Sequence, residues 1–291
     1  MDIRAIVMGL VFVIMWSSAF TSARIIVANA PPVSTLALRF LISGLLGVFI
    51  ARALGQTWRL TPVQWRATIL FGLSQNALYL GLNFVAMQTV EASLAAIIAS
   101  SMPLLVAVAS WAIFGQRIGA LGFAGLVAGV AGVIIIMSSR LQGGADLYGV
   151  ALCVVGVLAL TIATLAVRGA SSGGNLLMVV GLQMLVGAVA LGFFGAATET
   201  IEVTWSWQLI AAFIYTTLIP GLAATLIWFS LVNRIGAIKA ATFHFLNPFF
   251  GVLIAAIILQ EGLNTWDAVG VLIVTLGILA VQLARQGERP G

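Results

Sequence analysis

Apolar segments of about twenty residues recur along the whole chain and are joined by short connections. An α-helix of that length crosses the hydrocarbon core of a bilayer, which is about 30 Å thick. Hydrophobic residues make up 62% of the 291 residues and charged residues 7%, a composition that excludes a soluble fold of this length. The sequence therefore predicts an all-α integral membrane protein with ten transmembrane helices. The predicted spans are 5–27, 34–52, 65–87, 92–114, 119–138, 147–168, 174–197, 207–231, 236–259 and 266–284.

The short connections leave no room for a soluble catalytic domain, a nucleotide-binding cassette or a receptor ectodomain. The single cysteine, Cys153, lies inside a predicted span, and no group of Cys and His residues has the spacing of metal ligands. Gly143 and Gly144 are not followed by the Lys-Ser/Thr pair of a phosphate-binding loop. A membrane enzyme would need a nucleophile, an acid–base pair or a metal site, and the spans contain no paired carboxylates. We therefore predict no enzymatic activity, no metal and no cofactor.

Basic residues are distributed unevenly between alternate connections. With the N-terminus inside, Arg24 and Arg140 fall on the outer side and Arg39 lies within helix 2, so ten of the 13 Lys and Arg residues are cytoplasmic. These ten are Arg4, Arg52, Arg59, Arg66, Arg117, Arg168, Arg234, Lys239, Arg285 and Arg289. The net charge of +5 therefore reflects membrane topology, and we expect no nucleic-acid partner. We predict a multi-pass protein of the bacterial cytoplasmic (inner) membrane with both termini in the cytoplasm.

The first span has two features of a secretory signal peptide. Arg4 precedes an apolar run, and Ala28-Asn29-Ala30 resembles a cleavage site. The run is long enough to cross a bilayer, and Arg24 interrupts the approach to the supposed site. We expect this segment to be retained as the first transmembrane helix.

The second half of the chain repeats the first when the sequence is shifted by 145 residues. The superposed pairs include Pro103 with Pro248, Gly125 with Gly270 and Gly132 with Gly277. We therefore predict two domains of five helices each, residues 1–140 and 141–291. Because five is an odd number, the second domain must be inverted in the membrane relative to the first. Inverted repeats are typical of alternating-access carriers, which hold their substrate near the bilayer midplane between the repeats.

Several short segments of this chain together resemble those of a known family. They are Trp16-Ser17-Ser18-Ala19-Phe20, the mid-helix Pro103, Asn247-Pro248, and the Gln260-Glu261-Gly262 turn followed by Gly270 and Gly277. The set resembles the drug/metabolite transporter superfamily, EamA type, over nearly the whole chain. The first repeat departs from the family pattern at Gln116, where the family usually has Glu. The resemblance implies export of small organic solutes from the cytoplasm, and the members most similar are bacterial exporters of aromatic amino acids and related metabolites.

Polar side chains far from both membrane interfaces are candidate substrate ligands, because each is costly in hydrocarbon unless it is paired or faces a cavity. Asn76, Tyr79 and Asn83 recur at intervals of three and four residues, so a helix presents them on one face. They either line a cavity or form interhelical hydrogen bonds that hold the bundle together.

Prolines in the middle of spans are candidate bending points. Pro248 frees a backbone carbonyl one turn earlier, near His244 and Asn247, and that carbonyl either lines a cavity or finds a local partner. The segment Ser100-Ser101-Met102-Pro103 repeats this arrangement in the first half. Pro220-Gly221 predicts a further bending point for gating.

Two large side chains complete the candidate site. Trp16 lies near the centre of predicted helix 1, whereas membrane tryptophans usually lie at interfaces. Its indole N–H either finds a partner within the protein or borders a cavity, and we expect it to face the substrate. Arg39, early in predicted helix 2, either snorkels to the interface or pairs with a substrate carboxylate. The predicted substrate-binding residues are Trp16, Ser17, Arg39, Asn76, Tyr79, Asn83, Ser100, Met102, His244 and Asn247. The predicted gating residues are Pro103, Pro220, Gly221 and Pro248.

The sequence predicts export of small amphipathic metabolites, with aromatic or hydrophobic amino acids as the expected cargo, through a central cavity between the repeats. Export of drugs or of other organic metabolites such as nucleobases is the alternative, and a passive channel is less favoured. No Asp or Glu lies centrally in a predicted span, so we expect downhill or weakly coupled transport, with His244 as the candidate for proton coupling. Gly125 and Gly129 favour helix packing within one chain over a dimer interface, so we expect a monomer or a weak homodimer.

Overall fold

The computed structural model describes residues 3–115, 118–166, 173–236, 240 and 243–287. Within these ranges all regular secondary structure is helical and no strand occurs. Nine of the helices in the described part of the chain are long and apolar enough to cross a membrane, and one further apolar helix is shorter. The predicted fold class, an all-α integral membrane protein, is therefore confirmed.

We number the ten helices in chain order. They are α1 (Ile3–Val27), α2 (Pro32–Ala53), α3 (Pro62–Ala86), α4 (Ala92–Phe114), α5 (Ala120–Gln142), α6 (Leu147–Ala166), α7 (Leu176–Thr198), α8 (207–235, in the three parts Trp207–Leu218, Ile219–Ala223 and Ala224–Ile235), α9 (Phe243–Leu259) and α10 (Thr265–Gly287).

Three predicted helix bounds need correction. Gly236, the predicted start of helix 9, is not helical but ends α8 with a φ of 82°. α5 continues to Gln142 instead of ending at 138, because Arg140 is held by two carboxylates and remains helical. α8 continues to Ile235 instead of ending at 231. Five residues on which the sequence interpretation drew lie outside the described residues; they are Gln116, Arg117, Arg168, Lys239 and Arg289.

Several helices depart from α geometry where proline was predicted to bend them. α8 contains a π-helical stretch at Ile219–Ala223, where Pro220 lacks the N–H that a regular helix would use. α4 is interrupted at Ser101, two residues before Pro103. α9 begins with a 3-10 turn, Phe243–Leu246, and becomes α-helical at Asn247, the residue before Pro248. α3 also contains a π-helical stretch, Gly72–Tyr79, although no proline lies there.

The chain divides into two compact units, and each draws on both halves of the sequence. Unit 1 consists of Met1–Thr21, Thr89–Val150 and Ala223–Gly291, and unit 2 of Ser22–Gln88 and Ala151–Leu222. Unit 1 therefore contains most of α1, all of α4, α5, α9 and α10, and the last part of α8. Unit 2 contains α2, α3, α7, most of α6 and the first part of α8.

In unit 1, α5 and α10 approach closely through glycines. A methyl group on Gly125 would lie 2.7 Å from the carbonyl oxygen of Gly277, and one on Gly132 would lie 2.9 Å from that of Gly270. The earlier glycine of α5 contacts the later glycine of α10, and the later one contacts the earlier one, so the two helices are antiparallel. These are the same four glycines that the shift of 145 residues superposes in pairs.

In unit 2, α2 and α7 also pack in antiparallel fashion through small residues. A methyl group on Gly195 would lie 2.6 Å from the Ser34 hydroxyl oxygen, and one on Gly181 would lie 2.8 Å from the backbone nitrogen of Val48. The shift of 145 residues superposes α2 on α7, as it superposes α5 on α10. Corresponding helices therefore pack against each other in both units.

Two glutamates that follow helices cap the N-termini of distant helices. Glu199, directly after α7, accepts hydrogen bonds from the backbone N–H groups of Val33 (2.8 Å) and Ser34 (2.7 Å) in α2. Glu261, after α9, accepts in the same way from the first two residues of α4, at 2.8 and 3.0 Å. The first N–H groups of a helix have no intrahelical partner, and the helix dipole favours a negative charge there. Each carboxylate therefore ties the end of one helix to the start of another.

We expect Glu199→Gln to lower the free energy of unfolding by about 1–2 kcal/mol, because its amide keeps one acceptor oxygen, turns an NH2 donor toward the second backbone N–H and carries no charge for the helix dipole. The measurement is thermal unfolding of the purified protein in detergent. Glu202→Gln is the matched control, because Glu202 is exposed. Equal melting temperatures for the two variants would contradict the capping role.

Candidate functional site

An aromatic cluster in unit 1 brings together side chains from α1, α8 and α9. The Phe12 ring centroid lies 4.9 Å from Trp228 and 5.3 Å from the imidazole of His244. Trp228 and His244 are 5.0 Å apart, and Trp16 lies 5.7 Å from Phe12 and 6.4 Å from His244. Phe12 is buried, whereas the other three side chains are half-buried. We call these four residues the aromatic cluster.

The local structure of α1 and α9 explains why these rings are in contact. Phe12 and Trp16 are four residues apart, so α1 presents both on one face. Gly9 allows α1 to approach the start of α9, since a methyl group there would lie 2.3 Å from the Phe243 ring. His244 lies in the 3-10 turn that opens α9, directly before the proline-containing part of that helix.

Asn247 links the aromatic cluster to polar groups. Its amide nitrogen lies 2.9 Å from Nδ1 of His244. With the amide in this orientation its nitrogen donates and Nδ1 accepts, which corresponds to the neutral imidazole with its proton on Nε2. The Ser17 hydroxyl donates to the backbone carbonyl of Asn247 at 3.3 Å. Four of the predicted site residues, Trp16, Ser17, His244 and Asn247, are thus brought together in unit 1.

The side-chain oxygen of Asn247 is buried and has no hydrogen-bond partner in the described part of the chain. A buried polar atom normally has a partner, and leaving one without is costly. The oxygen is an acceptor on the side chain whose amide nitrogen lies against the His244 ring of the aromatic cluster. The cluster therefore combines surfaces that suit a planar apolar group with one acceptor that suits an N–H donor.

Ser100, Met102 and Pro103 lie in α4 of the same unit. The Ser100 hydroxyl donates to the carbonyl of Ala96 in its own helix, at 2.6 Å, so the described contacts do not join it to the aromatic cluster. Met102 is half-buried and Pro103 is buried. This bond does not involve the carbonyl of residue 99, which Pro103 leaves without its regular helix donor, so both predictions for the segment before Pro103 stay open.

The predicted site residues of α3 lie in unit 2, and all three are buried. The amide nitrogen of Asn76 donates to the carbonyl of Gln183 in α7 at 2.9 Å. That of Asn83 donates to the carbonyl of Tyr79 at 2.8 Å, and its side-chain oxygen has no partner in the described part of the chain. Asn76 therefore makes the interhelical bond that one of the two sequence interpretations expected, while Asn83 keeps an open acceptor.

Arg39 lies in α2 of unit 2, and its side chain is only 6% exposed. The guanidinium therefore lies inside the protein rather than at its surface. A methyl group on Gly221, in the π-helical stretch of α8, would lie 3.6 Å from Nη2 of Arg39. The Ser43 hydroxyl, one turn after Arg39, donates to the carbonyl of Thr217 at 3.3 Å. Arg39 thus lies beside the predicted bending point Pro220-Gly221.

Sequence reasoning missed two members of the aromatic cluster. Phe12 could have been found from its spacing of four residues to Trp16. No spacing in the sequence links Trp228 to the cluster, because its partners lie in helices that are distant along the chain. Its orientation in α8 also depends on the π-helical stretch before it. Trp111 is 57% exposed on α4 and is not part of the cluster.

The sequence profile of the EamA-like transporter family matches this chain twice, at residues 3–138 and 147–283. The uncharacterized transporter YvbV of Bacillus subtilis is 26% identical over 278 residues, which cover 95% of this chain and 91% of that protein. The uncharacterized inner membrane transporter YedA of Escherichia coli is 27% identical over 279 residues, covering 91% and 88%.

A solved crystal structure of a protein aligns with 99% of this chain and 100% of its own, with a TM-score of 0.68 and 19% identity, and so shares its fold. The family resemblance of the sequence is confirmed, because the two profile matches together cover nearly the whole chain. The chain is a multi-pass membrane transporter and belongs to the EamA-like transporter family.

Proposed function

We propose that this transporter exports small amphipathic metabolites, and that aromatic or hydrophobic amino acids are its main substrates. The observation that carries the proposal is the aromatic cluster, in which Phe12, Trp16 and Trp228 lie against His244 at the start of α9, next to the open oxygen of Asn247. Aromatic faces and edges bind planar apolar groups with preferred geometries. The Asn247 oxygen would accept a hydrogen bond from a substrate ammonium group.

The position of this cluster suits a site that opens and closes. His244 lies in a 3-10 turn and Asn247 starts the α-helical part of α9, so a change in the proline-containing segment would move both side chains. Trp228 lies after the π-helical stretch of α8 and would respond to a change there. Substrate contacts and irregular backbone are therefore combined in the same two helices.

We propose that residues 1–140 and 141–291 form two inverted repeats that support alternating access. The antiparallel packing of corresponding helices, α5 with α10 and α2 with α7, is what a two-fold axis in the membrane plane would produce. Gly115 and Gln260, which the shift of 145 residues superposes, both take left-handed backbone conformations, with φ of 64° and 55°. The same turn geometry thus ends both α4 and α9.

We further propose that the protein lies in a bacterial cytoplasmic membrane with both termini inside, as the distribution of Lys and Arg favours. Transport is downhill or weakly coupled in this proposal. The carboxylates of Glu91, Glu199 and Glu261 lie at helix ends, and hydrogen bonds or an ion pair hold each of them. These contacts leave them poorly suited to a proton relay across the membrane.

The test is efflux from proteoliposomes loaded with labelled phenylalanine, tryptophan or leucine, with and without a pH gradient. We expect saturable efflux in which Trp228→Ala raises KM about tenfold, because losing the ring contacts costs on the order of 1.4 kcal/mol. Trp111→Ala is the matched control and should leave KM unchanged, since that ring is 57% exposed.

Other results of the efflux experiment would change the proposal as follows. Efflux of nucleobases or planar drugs, without efflux of amino acids, would replace the cargo but keep the aromatic cluster as the site. Flux that does not saturate would indicate a passive channel. Equal effects of the two tryptophan substitutions would show that the aromatic cluster does not bind the substrate.

A further inference from the structure

Arg39 is a buried cation for which the described residues supply no counter-ion. Its side chain is 6% exposed, and among the described residues its Nε–H has no hydrogen-bond partner and no carboxylate forms an ion pair with it. A buried ion within a membrane-spanning helix is costly unless an opposite charge compensates it. An internal comparison is Arg140, which is also nearly buried but is paired with both Glu91 and Asp267.

The contacts that Arg39 does make are too weak to replace a counter-ion. Its guanidinium carbon lies 5.1 Å from the centroid of the Phe40 ring, a cation–π contact that offsets only part of the cost of burial. Gly221 brings no side chain to the guanidinium, and a methyl group there would lie 3.6 Å from Nη2 and 3.4 Å from the Ser43 hydroxyl oxygen, so no charged group comes from this position. The guanidinium keeps the planar set of N–H donors that matches a carboxylate.

We propose that Arg39 binds the carboxylate of a transported solute, next to the π-helical stretch of α8. This inference rests on the proposed transport function and narrows its substrate class to organic acids, including amino acids, that carry one carboxylate. The bound carboxylate supplies the missing counter-ion, and its two oxygens accept from Nε–H and from one terminal N–H of the same guanidinium. Neutral amides and esters of the same solute lack the charge and bind less tightly.

The test uses the purified full chain in detergent, with sodium phenylacetate and phenylacetamide as matched probes of equal shape. Binding is followed by thermal shift and by titration calorimetry. We expect the wild type to bind phenylacetate at least tenfold more tightly than phenylacetamide. Arg39→Gln should reduce this preference to less than twofold, while Arg59→Gln, at an exposed position of unit 2, should leave it unchanged.

A structural role for Arg39 predicts a different result. If Arg39 mainly held the fold together, Arg39→Gln would melt at a lower temperature than the wild type without ligand. We expect the opposite, a melting temperature equal to or above that of the wild type, because the substitution removes an uncompensated buried charge. Arg39→Lys, which keeps the charge but not the planar fork, should retain part of the preference for the acid.

The probes bind without any flux, so this test is separate from the efflux assay. The inference about Arg39 is overturned if the wild type does not prefer phenylacetate to phenylacetamide. It is also overturned if Arg39→Gln keeps the preference of the wild type. Should Arg39→Gln not fold, unchanged acid preference in Arg39→Lys overturns it instead. If amino acids are exported but the protein does not bind phenylacetate more tightly than phenylacetamide, the proposed function stays and the Arg39 site is removed. If the protein prefers phenylacetate but exports no amino acid, the Arg39 site is supported and only the proposed cargo is removed.

Discussion

Arg140→Gln is expected to lower the free energy of unfolding by about 3–5 kcal/mol, because it leaves a buried carboxylate without its partner. Asp267 is 1% exposed, and its two oxygens lie 3.0 Å from Nε and from Nη2 of Arg140. Arg140 also pairs with Glu91 at the start of α4. The guanidinium thus joins the ends of α4, α5 and α10 within unit 1.

A second substitution separates the lost ion pair from other effects. Asp267 also belongs to a capping box at the start of α10, since it accepts from the backbone of Asn264 at 3.0 Å and donates its own N–H to the Asn264 side chain at 2.9 Å. Asp267→Asn removes the charge but retains one oxygen for this capping bond. Adding it to Arg140→Gln should therefore recover at least half of the lost stability.

The measurement is chemical unfolding in mixed micelles, followed by tryptophan fluorescence. Arg59→Gln is the control, because Arg59 is exposed and its substitution should change stability by less than about 0.5 kcal/mol. A loss in Arg140→Gln no larger than in Arg59→Gln would mean that the pair with Asp267 contributes nothing to folding.

Helices were predictable from this sequence because membrane insertion depends on the length and polarity of each segment, which are local properties. The predicted bounds of α4 match the observed helix at both ends, including the proline that interrupts it. The end of α5 was not predictable in this way. Arg140 extends that helix because two carboxylates hold it, and these lie 49 and 127 residues away in sequence.

The candidate site could be predicted only where its residues are close together in the sequence. His244 and Asn247 were both candidates because they lie three residues apart just before Pro248, and in the structure they form a hydrogen bond. Trp228 joins the aromatic cluster through contacts with residues of α1 and α9, and no local pattern shows which helices are neighbours. That Arg39 has no ion pair among the described residues could not be read from the sequence either, since it depends on which side chains surround the guanidinium.

Gly277→Ala is expected to lower the free energy of unfolding by about 1–3 kcal/mol, because the added methyl group meets backbone atoms that cannot move independently of their helix. That group would lie 2.6 Å from the backbone nitrogen of Gly129 and 2.7 Å from the carbonyl oxygen of Gly125. α5 and α10 would have to separate, and the close contacts between them would be lost.

Gly192→Ala is the matched control, because Gly192 is also inside a membrane helix but a methyl group there meets nothing within 4 Å. Alanine is the better helix former, so this variant should keep or gain up to about 1 kcal/mol of stability. Thermal unfolding of both variants in the same detergent isolates the effect of helix approach from that of helix propensity. If Gly277→Ala were as stable as Gly192→Ala, close approach of α5 and α10 would not be what requires glycine at position 277.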